Sequence, residues 1–193
     1  KSVSTDFVRY LYHRINWDYQ LIVIMGARGV GKTTMVLQHI LMTDAKKESL
    51  YISADNTYFA GNTLYDIATK FAQGGGKILY IDEVHKYQDW SKEVKMMYDF
   101  LPDLKVVVTG SSILELIRGT DADLSRRAIR YTLEGLSFRE YLNFSLGLNI
   151  PTYTLEEILN GKVELPQEVK YPLAHFKEYL SKGYFPFFKQ NDY

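Results

Sequence analysis

The 193-residue sequence contains no cysteine, no long apolar run and no excess of either charge. Without cysteine the chain can form neither a disulfide nor a thiolate metal site, and it has no thiol nucleophile. No apolar run approaches the roughly 18 residues that a membrane-spanning helix needs, and no signal-peptide pattern opens the chain. We therefore expect a cytoplasmic protein with no membrane partner.

The charges balance, with 23 Lys and Arg residues against 23 Asp and Glu residues. This balance argues against a strongly basic nucleic-acid binder, although a local basic patch is compatible with it. Hydrophobic residues make up 46% of the chain, which is ordinary for a globular domain. The first residue is Lys1 rather than Met, so we expect the sequence to be a piece of a longer protein.

Short apolar runs alternate with segments of helical periodicity in the first part of the chain. Runs this apolar are typical of strands covered on both faces, as in a parallel sheet. The predicted strands are residues 21–25, 50–52, 78–81, 106–108 and 129–133. The predicted helices are residues 33–42, 63–72 and 92–101. This order predicts a doubly wound α/β fold with a parallel sheet.

Helix signals dominate the remainder of the chain. Ser137 with Glu140, and Thr154 with Glu157, have the spacing of capping boxes, in which a hydroxyl and a carboxylate together satisfy the start of a helix. Residues 169–182 also have helical character and are followed by glycine, which commonly ends helices. We expect these segments to form a small helical region.

Two further predictions concern boundaries. We divide the chain into a core, residues 1–135, and a helical region, residues 136–193, which we expect to be truncated. Residues 7–17 are predicted to form an amphipathic helix before the first strand. Asp89 or Ser91 is predicted to cap the helix over 92–101.

A glycine-rich loop, GARGVGKTT, separates the first predicted strand from the first predicted helix. Its G-x-x-x-x-G-K-[ST] pattern indicates main-chain N–H groups around phosphate oxygens, aided by the positive end of the helix dipole. Lys32 would reach the β- and γ-phosphates, and the Thr33 hydroxyl would bind Mg²⁺. The predicted nucleotide-binding residues are Gly26, Ala27, Arg28, Gly29, Val30, Gly31, Lys32, Thr33 and Thr34. The alternative, a glycine turn with an incidental lysine, fits this spacing and context less well.

Two carboxylates end the predicted strand over residues 78–81. Asp82 is predicted to hold Mg²⁺ through water, and Glu83 to polarise the water that attacks the γ-phosphate. Taken alone, the two acids could simply lie in a solvated loop. No N-K-x-D guanine motif occurs, and a small-molecule kinase needs no water-activating glutamate. ATP hydrolysis is therefore the favoured interpretation.

Polar residues also follow the strand over 106–108. A hydroxyl there could contact the γ-phosphate or the attacking water, but Ser111 or Ser112 would equally suit a helix N-cap. Farther on, Arg126 and Arg127 precede the last predicted strand. Such a pair is usually surface charge, although an arginine can also stabilise transition-state charge across a subunit boundary. The residues alone leave both alternatives open.

Together these segments resemble the AAA+ ATPases, and in particular the bacterial and archaeal group described as predicted AAA ATPases. The likeness rests on GARGVGKTT, ILYIDEVHKYQDW, VVVTGSS and SRRAIRYTLEGLSFREYL. It implies the strand order 5-1-4-3-2, a partial C-terminal helical lid, and ATP and Mg²⁺ as cofactors. It also implies that Ser111, or as a second choice Thr109, is the sensor residue and that Arg127, or else Arg126, is an arginine finger.

The predicted catalytic residues are therefore Glu83, Lys32, Ser111 and Arg127. A finger that acts in trans would require a homo-oligomer, and the C-terminal domain usual in the family would supply a DNA or protein partner. We expect an ATP-hydrolysing module that couples nucleotide state to motion of its lid or of a partner domain. The alternatives are a nucleotide-gated regulatory or DNA-associated module with little turnover, and a kinase that acts on a small acceptor.

Overall fold

Five short, mostly apolar segments pair into one parallel sheet. The structure, a computed structural model, describes residues 3–43, 48–110 and 124–190. The strands are β1 (Leu21–Met25), β2 (Ser49–Ser53), β3 (Ile78–Asp82), β4 (Lys105–Gly110) and β5 (Ile129–Thr132). Their order across the sheet is β2-β3-β4-β1-β5, and all pairs are parallel. The predicted order 5-1-4-3-2 and the α/β class are confirmed.

Among the described residues, three α-helices connect the strands within the first of two compact units, Lys1–Glu134. They are α1 (Lys32–Met42), α2 (Leu64–Gln73) and α3 (Trp90–Phe100). Each lies within two residues of its predicted bounds. Asp89 occupies the N-cap position of α3, but its carboxylate contacts the Lys92 ammonium at 3.0 Å and caps no N–H. Ser91, the other predicted cap, lies inside the helix.

The three central strands of the sheet, β3, β4 and β1, are buried on both faces. All five residues of β1 are buried, and alternate residues point to opposite faces. Leu21 and Val23 belong to the same apolar cluster as Val94 and Met97 of α3. On the other face, the Tyr80 ring of β3 contacts the His39 ring of α1, with centroids 6.1 Å apart. Burial on both faces explains why these strands are continuous apolar runs.

The predicted helix over residues 7–17 is wrong, because the segment contains only a 3₁₀ turn, Tyr10–His13. Tertiary contacts determine its path instead. The buried Arg9 guanidinium donates hydrogen bonds to the carbonyls of Val30, at 2.6 Å, and Glu134, at 2.7 Å. A helix this short is marginal without packing support, so these contacts outweigh its amphipathic pattern.

The second unit, Gly135–Tyr193, contains three helices among its described residues. They are α4 (Phe138–Leu146), α5 (Leu155–Leu159) and α6 (Pro172–Lys182). Both predicted capping boxes, at Ser137 and Thr154, are confirmed. Gly183 ends α6 as predicted. None of the helices that the structure describes has both the length and the apolar character of a membrane span.

Candidate active site

The glycine loop lies at the carboxyl end of β1, where it leads directly into α1. Gly29 and Gly31 have φ angles of 85° and 100°, a region that favours glycine. Gly31 is the N-cap residue of α1 and has no side chain, so it supplies no side-chain acceptor to the first-turn N–H groups. Ala27, Arg28 and Gly29 are exposed. The loop therefore presents main-chain donors and a helix dipole to solvent, as an anion site requires.

Two contacts hold the base of this loop. A Cβ on Gly26 would lie 2.2 Å from the main-chain oxygen of Leu133, so the close approach of the two backbones requires glycine. Arg9 donates to the carbonyl of Val30 on the other side of the loop. Arg9 was not among the predicted site residues, because nothing in a lone arginine near the start of a chain indicates that it becomes buried.

Lys32 lies across the loop. Its side chain is buried, and Nζ donates to the carbonyl oxygens of Gly26 and Ala27, each at 2.9 Å. Burial lowers the pKa of Lys32, and the charges of Glu83 and Asp82 oppose that shift. An ammonium carries three N–H donors, so these two bonds leave one donor for a further acceptor such as a phosphate oxygen.

Asp82 joins three strands at the same edge of the sheet. Its side chain is buried, and its Oδ2 accepts hydrogen bonds from Thr33 Oγ1 at 2.6 Å and from the Tyr51 hydroxyl at 2.8 Å. Its Oδ1 accepts from the main-chain N–H of Glu83 at 3.1 Å and from the Thr109 hydroxyl. The structure thus brings together Thr33 and Asp82, the two residues predicted to bind metal.

Two of these partners were not placed at Asp82 by sequence analysis. Thr109 was the second choice for the sensor, and its hydroxyl contacts Asp82. Tyr51 was not singled out at all, because its role depends on strand pairing and on no local motif. Burial, followed by the hydrogen bond to Asp82, raises the pKa of Tyr51, so its phenol remains a donor at neutral pH. Ser111 and Ser112 lie outside the described residues.

Glu83 has a left-handed backbone, with φ 56° and ψ 36°, where β3 gives way to a 3₁₀ turn, Val84–Lys86. A non-glycine residue in this conformation costs about 1 kcal/mol, and such strain is concentrated at functional sites. Glu83 Oε2 lies 3.3 Å from His85 Nε2, and the two side chains are 31% and 9% exposed.

The two arginines differ in their surroundings. Arg127 Nε donates to Asp99 Oδ1 at 2.9 Å and Nη2 to Oδ2 at 3.3 Å, so the guanidinium is held by α3 of its own chain. The hydrogen bond to Asp99 raises the pKa of Arg127. Arg126 is exposed and has a left-handed backbone, with φ 66°. The structure does not bring either arginine to Asp82.

The donor set fits a small, hard cation. The Thr33 hydroxyl and the Asp82 carboxylate supply oxygen atoms, which Mg²⁺ prefers. Among the described residues, no group of three or more His, Asp or Glu side chains could hold a metal by itself. Mg²⁺ usually takes one or two protein ligands together with water and substrate phosphates.

Comparison with known proteins adds two findings. A family model described as an AAA domain matches residues 18–142, which include all five strands and the whole glycine loop. An uncharacterized protein of Methanocaldococcus jannaschii is 30% identical over 189 residues, an alignment that covers 90% of this chain. The aligned part is 39% of that relative, so the chain corresponds to well under half of its length.

Proposed function

From the premise that the chain belongs to the AAA domain family, and is thus a nucleotide-binding module of the ATPase type, we propose that it binds ATP with Mg²⁺ and hydrolyses it. The observation that carries the proposal is the link between the glycine loop and β3. Thr33 at the start of α1 donates to Asp82 at 2.6 Å, beside a buried Lys32 that lies over the loop.

Each group has a distinct proposed part in the reaction. The main-chain N–H groups of the loop and the Lys32 ammonium bind the β- and γ-phosphates. Thr33 and Asp82 hold Mg²⁺, which when bound neutralises charge on the phosphate oxygens. The hydroxyl group of Thr109 or of Ser111 contacts the γ-phosphate or the attacking water.

Glu83 is the proposed general base. It accepts a proton from a water molecule whose oxygen forms a bond to the γ-phosphorus, while the bond from that phosphorus to the bridging oxygen breaks and ADP leaves. Its partly exposed carboxylate and its position next to Asp82 support this assignment. Arg127 remains the proposed arginine finger. To act, its guanidinium must leave Asp99 and contact the nucleotide bound to a neighbouring molecule.

We also propose that the second unit acts as a lid, or transmits nucleotide state to a partner protein or DNA. Its helical composition and its place directly after the core in the chain support this. Hydrogen exchange over α4 and α6 should change between the ADP and ATP states if the proposal is correct.

The test compares phosphate release and ATP binding in wild type and Glu83→Gln. The variant should bind Mg·ATP as wild type does but release phosphate at least about 100-fold more slowly, because the amide cannot accept the proton. Glu48→Gln is the matched control, since Glu48 is exposed and precedes β2. Lys32→Ala should weaken ATP binding itself.

Three results would contradict the proposal in different ways. A wild-type chain that binds ATP without turnover, alone or with any partner, would support a nucleotide-gated binding module. Phosphate found on a small acceptor would support a kinase. Failure of wild type to bind nucleotide would remove both the ATPase and its alternatives.

A further inference from the structure

Tyr51 brings a phenol to the Asp82 carboxylate from β2, the strand at the edge of the sheet. β2 and β3 pair in parallel, with Tyr51 opposite Tyr80 and Ser53 opposite Asp82. Residues two apart on a strand share a face, so Tyr51, Tyr80 and Asp82 all point to the α1 side of the sheet. From there the Tyr51 hydroxyl donates to Asp82 Oδ2 at 2.8 Å.

Two hydroxyl groups donate to Asp82 Oδ2, and only one of them is also a proposed metal ligand. One is Thr33, at 2.6 Å, whose hydroxyl is also the proposed ligand for Mg²⁺. The other is Tyr51, which is not a proposed ligand for Mg²⁺. A hydroxyl oxygen that binds a cation through a lone pair keeps its O–H donor, so Thr33 and Tyr51 can both hold Oδ2 when the cation is bound. The remaining donors, Glu83 N–H and Thr109, act on Oδ1.

We propose that Tyr51 is a positioning residue for the magnesium site, in which its phenol fixes the orientation of the Asp82 carboxylate toward the cation. The inference rests on the proposed function, because it concerns the metal that accompanies ATP. Groups that hydrogen-bond to a metal ligand fix its geometry, and their loss typically lowers metal affinity by about 10- to 100-fold. Tyr51 does not touch the nucleotide in this role, so metal-free binding should not depend on its hydroxyl.

The sheet supplies a matched control. Tyr80 lies opposite Tyr51 in the pairing of β2 with β3, and it is fully buried. Among the described residues, its hydroxyl has no hydrogen-bond partner. Tyr51→Phe and Tyr80→Phe therefore each remove one phenol oxygen from the same face of neighbouring strands, but only the first removes a bond to Asp82. Both variants keep the ring that packs in the sheet.

The experiment measures ATP affinity by calorimetry in EDTA and over a series of Mg²⁺ concentrations. A second measurement follows Mn²⁺ binding to the ADP complex by electron paramagnetic resonance. For Tyr51→Phe we expect wild-type affinity in EDTA, but about tenfold more Mg²⁺ or Mn²⁺ for half-maximal metal binding. Tyr80→Phe should match wild type in every measurement. Near-ultraviolet circular dichroism and the Tm establish that both variants are folded.

The proposal is overturned if Tyr51→Phe needs no more metal than wild type does. It is also overturned if the variant weakens ATP binding equally with and without metal, since the hydroxyl would then support the glycine loop and not the cation. An equal shift in Tyr80→Phe would show that any phenol on this face matters. If wild type itself binds no nucleotide at any Mg²⁺ concentration, the proposed function fails first and this inference falls with it.

Discussion

The two units of the chain are stabilised by different kinds of interaction. In the first, strands far apart in sequence pair side by side, and Ile22, Val23 and Ile24 in the middle of β1 are completely buried. In the second, α5 and α6 bury none of their side chains among the described residues. Leu155 and Leu159 of α5 are 72% and 77% exposed. Long-range burial dominates the first unit, whereas the second combines a smaller buried core, which includes Leu136 and Val169, with local helix caps.

Helix caps and contacts between aromatic rings add to a small buried core in the second unit. Capping boxes begin α4 and α5, and aromatic rings pack in pairs, such as Phe138 with Phe176 at 5.2 Å and Tyr141 with Phe188 at 5.2 Å. The helices leave an open apolar recess of about 360 Å³. Segments with few buried contacts open at low free-energy cost. The unit with the larger buried core thus carries the proposed chemistry, whereas the other is suited to rearrangement.

The largest expected difference comes from truncating one apolar side chain in each unit. Ile81 of β3 is completely buried, so Ile81→Ala should lower the free energy of unfolding of the first unit by about 3 kcal/mol. Leu159 is 77% exposed, so Leu159→Ala should change the free energy of unfolding of the second unit by less than about 0.5 kcal/mol.

The two units need separate measurements, because they need not unfold together. Both tryptophans, Trp17 and Trp90, lie in the first unit, so their fluorescence during urea unfolding reports on that unit. Hydrogen exchange of the α5 amides reports on the second. Equal losses for the two substitutions would abolish the distinction between long-range and local stabilisation.

The same contrast explains which elements the sequence could predict. Apolar runs identified β1, β3 and β4, because strands buried on both faces carry no polar alternation. β2 and β5 are only partly buried, and their runs are shorter or alternate with polar residues. Capping boxes identified α4 and α5, because their signal spans only four residues. The order of the strands in the sheet was predicted from the family resemblance and not from the apolar runs themselves. The segment over residues 7–17 failed because contacts of Arg9 with distant carbonyls replaced the expected helix.

The candidate site divides in the same way. The glycine loop and the Asp82–Glu83 pair were predicted because each is continuous in sequence. Tyr51 was missed, because only the pairing of β2 with β3 brings its phenol to Asp82. The contact between Glu83 and His85 depends on the left-handed turn at Glu83, and nothing in the local sequence requires that turn.

A smaller effect on stability is expected from the titration of His39, a buried residue of the first unit. Its ring stacks on Trp17 at 3.8 Å, and its Nδ1 lies 3.2 Å from the Tyr12 hydroxyl. Burial, together with the nearby charge of Lys105, lowers the pKa of His39 to about 4. The folded unit therefore holds the neutral imidazole, whereas an unfolded histidine has a pKa of about 6.5.

The sign of the pH dependence follows from proton binding. Well above pH 6.5 the His39 imidazole is neutral in both the folded and the unfolded state, so its titration does not change the free energy of unfolding. As the pH falls from 6.5 toward 4, the unfolded chain binds a proton that the folded unit does not, and stability is lost. Between pH 7 and pH 5 the loss should be about 2 kcal/mol.

Urea unfolding followed by tryptophan fluorescence at these two pH values measures this change. His39→Phe keeps an aromatic ring against Trp17 but removes the titration, so its stability should fall by about 2 kcal/mol less than that of wild type. His13→Gln, at an exposed position of the same unit, should behave as wild type. An unchanged slope in His39→Phe would mean that other groups cause the acid sensitivity.

The smallest effect tests the local stabilisation of the second unit. The Ser137 hydroxyl accepts from the Glu140 N–H at 3.2 Å, and Glu140 accepts in return from the Ser137 N–H at 3.0 Å. Ser137→Ala should therefore lower the protection of α4 amides by about 1 kcal/mol, as loss of an N-cap does. Protection of the β3 amides should not change, since that strand depends on burial.

Ser181 provides the matched control, because its exposed hydroxyl donates to the Glu178 carbonyl within α6 and caps no helix. Ser181→Ala should change protection by less than about 0.5 kcal/mol. If Ser137→Ala leaves α4 unchanged, burial of Tyr141 and Leu142 must hold that helix, since both lie on its inner face. The second unit would then depend on a packed core as the first does, and its assignment as the more easily rearranged unit would lose its physical basis.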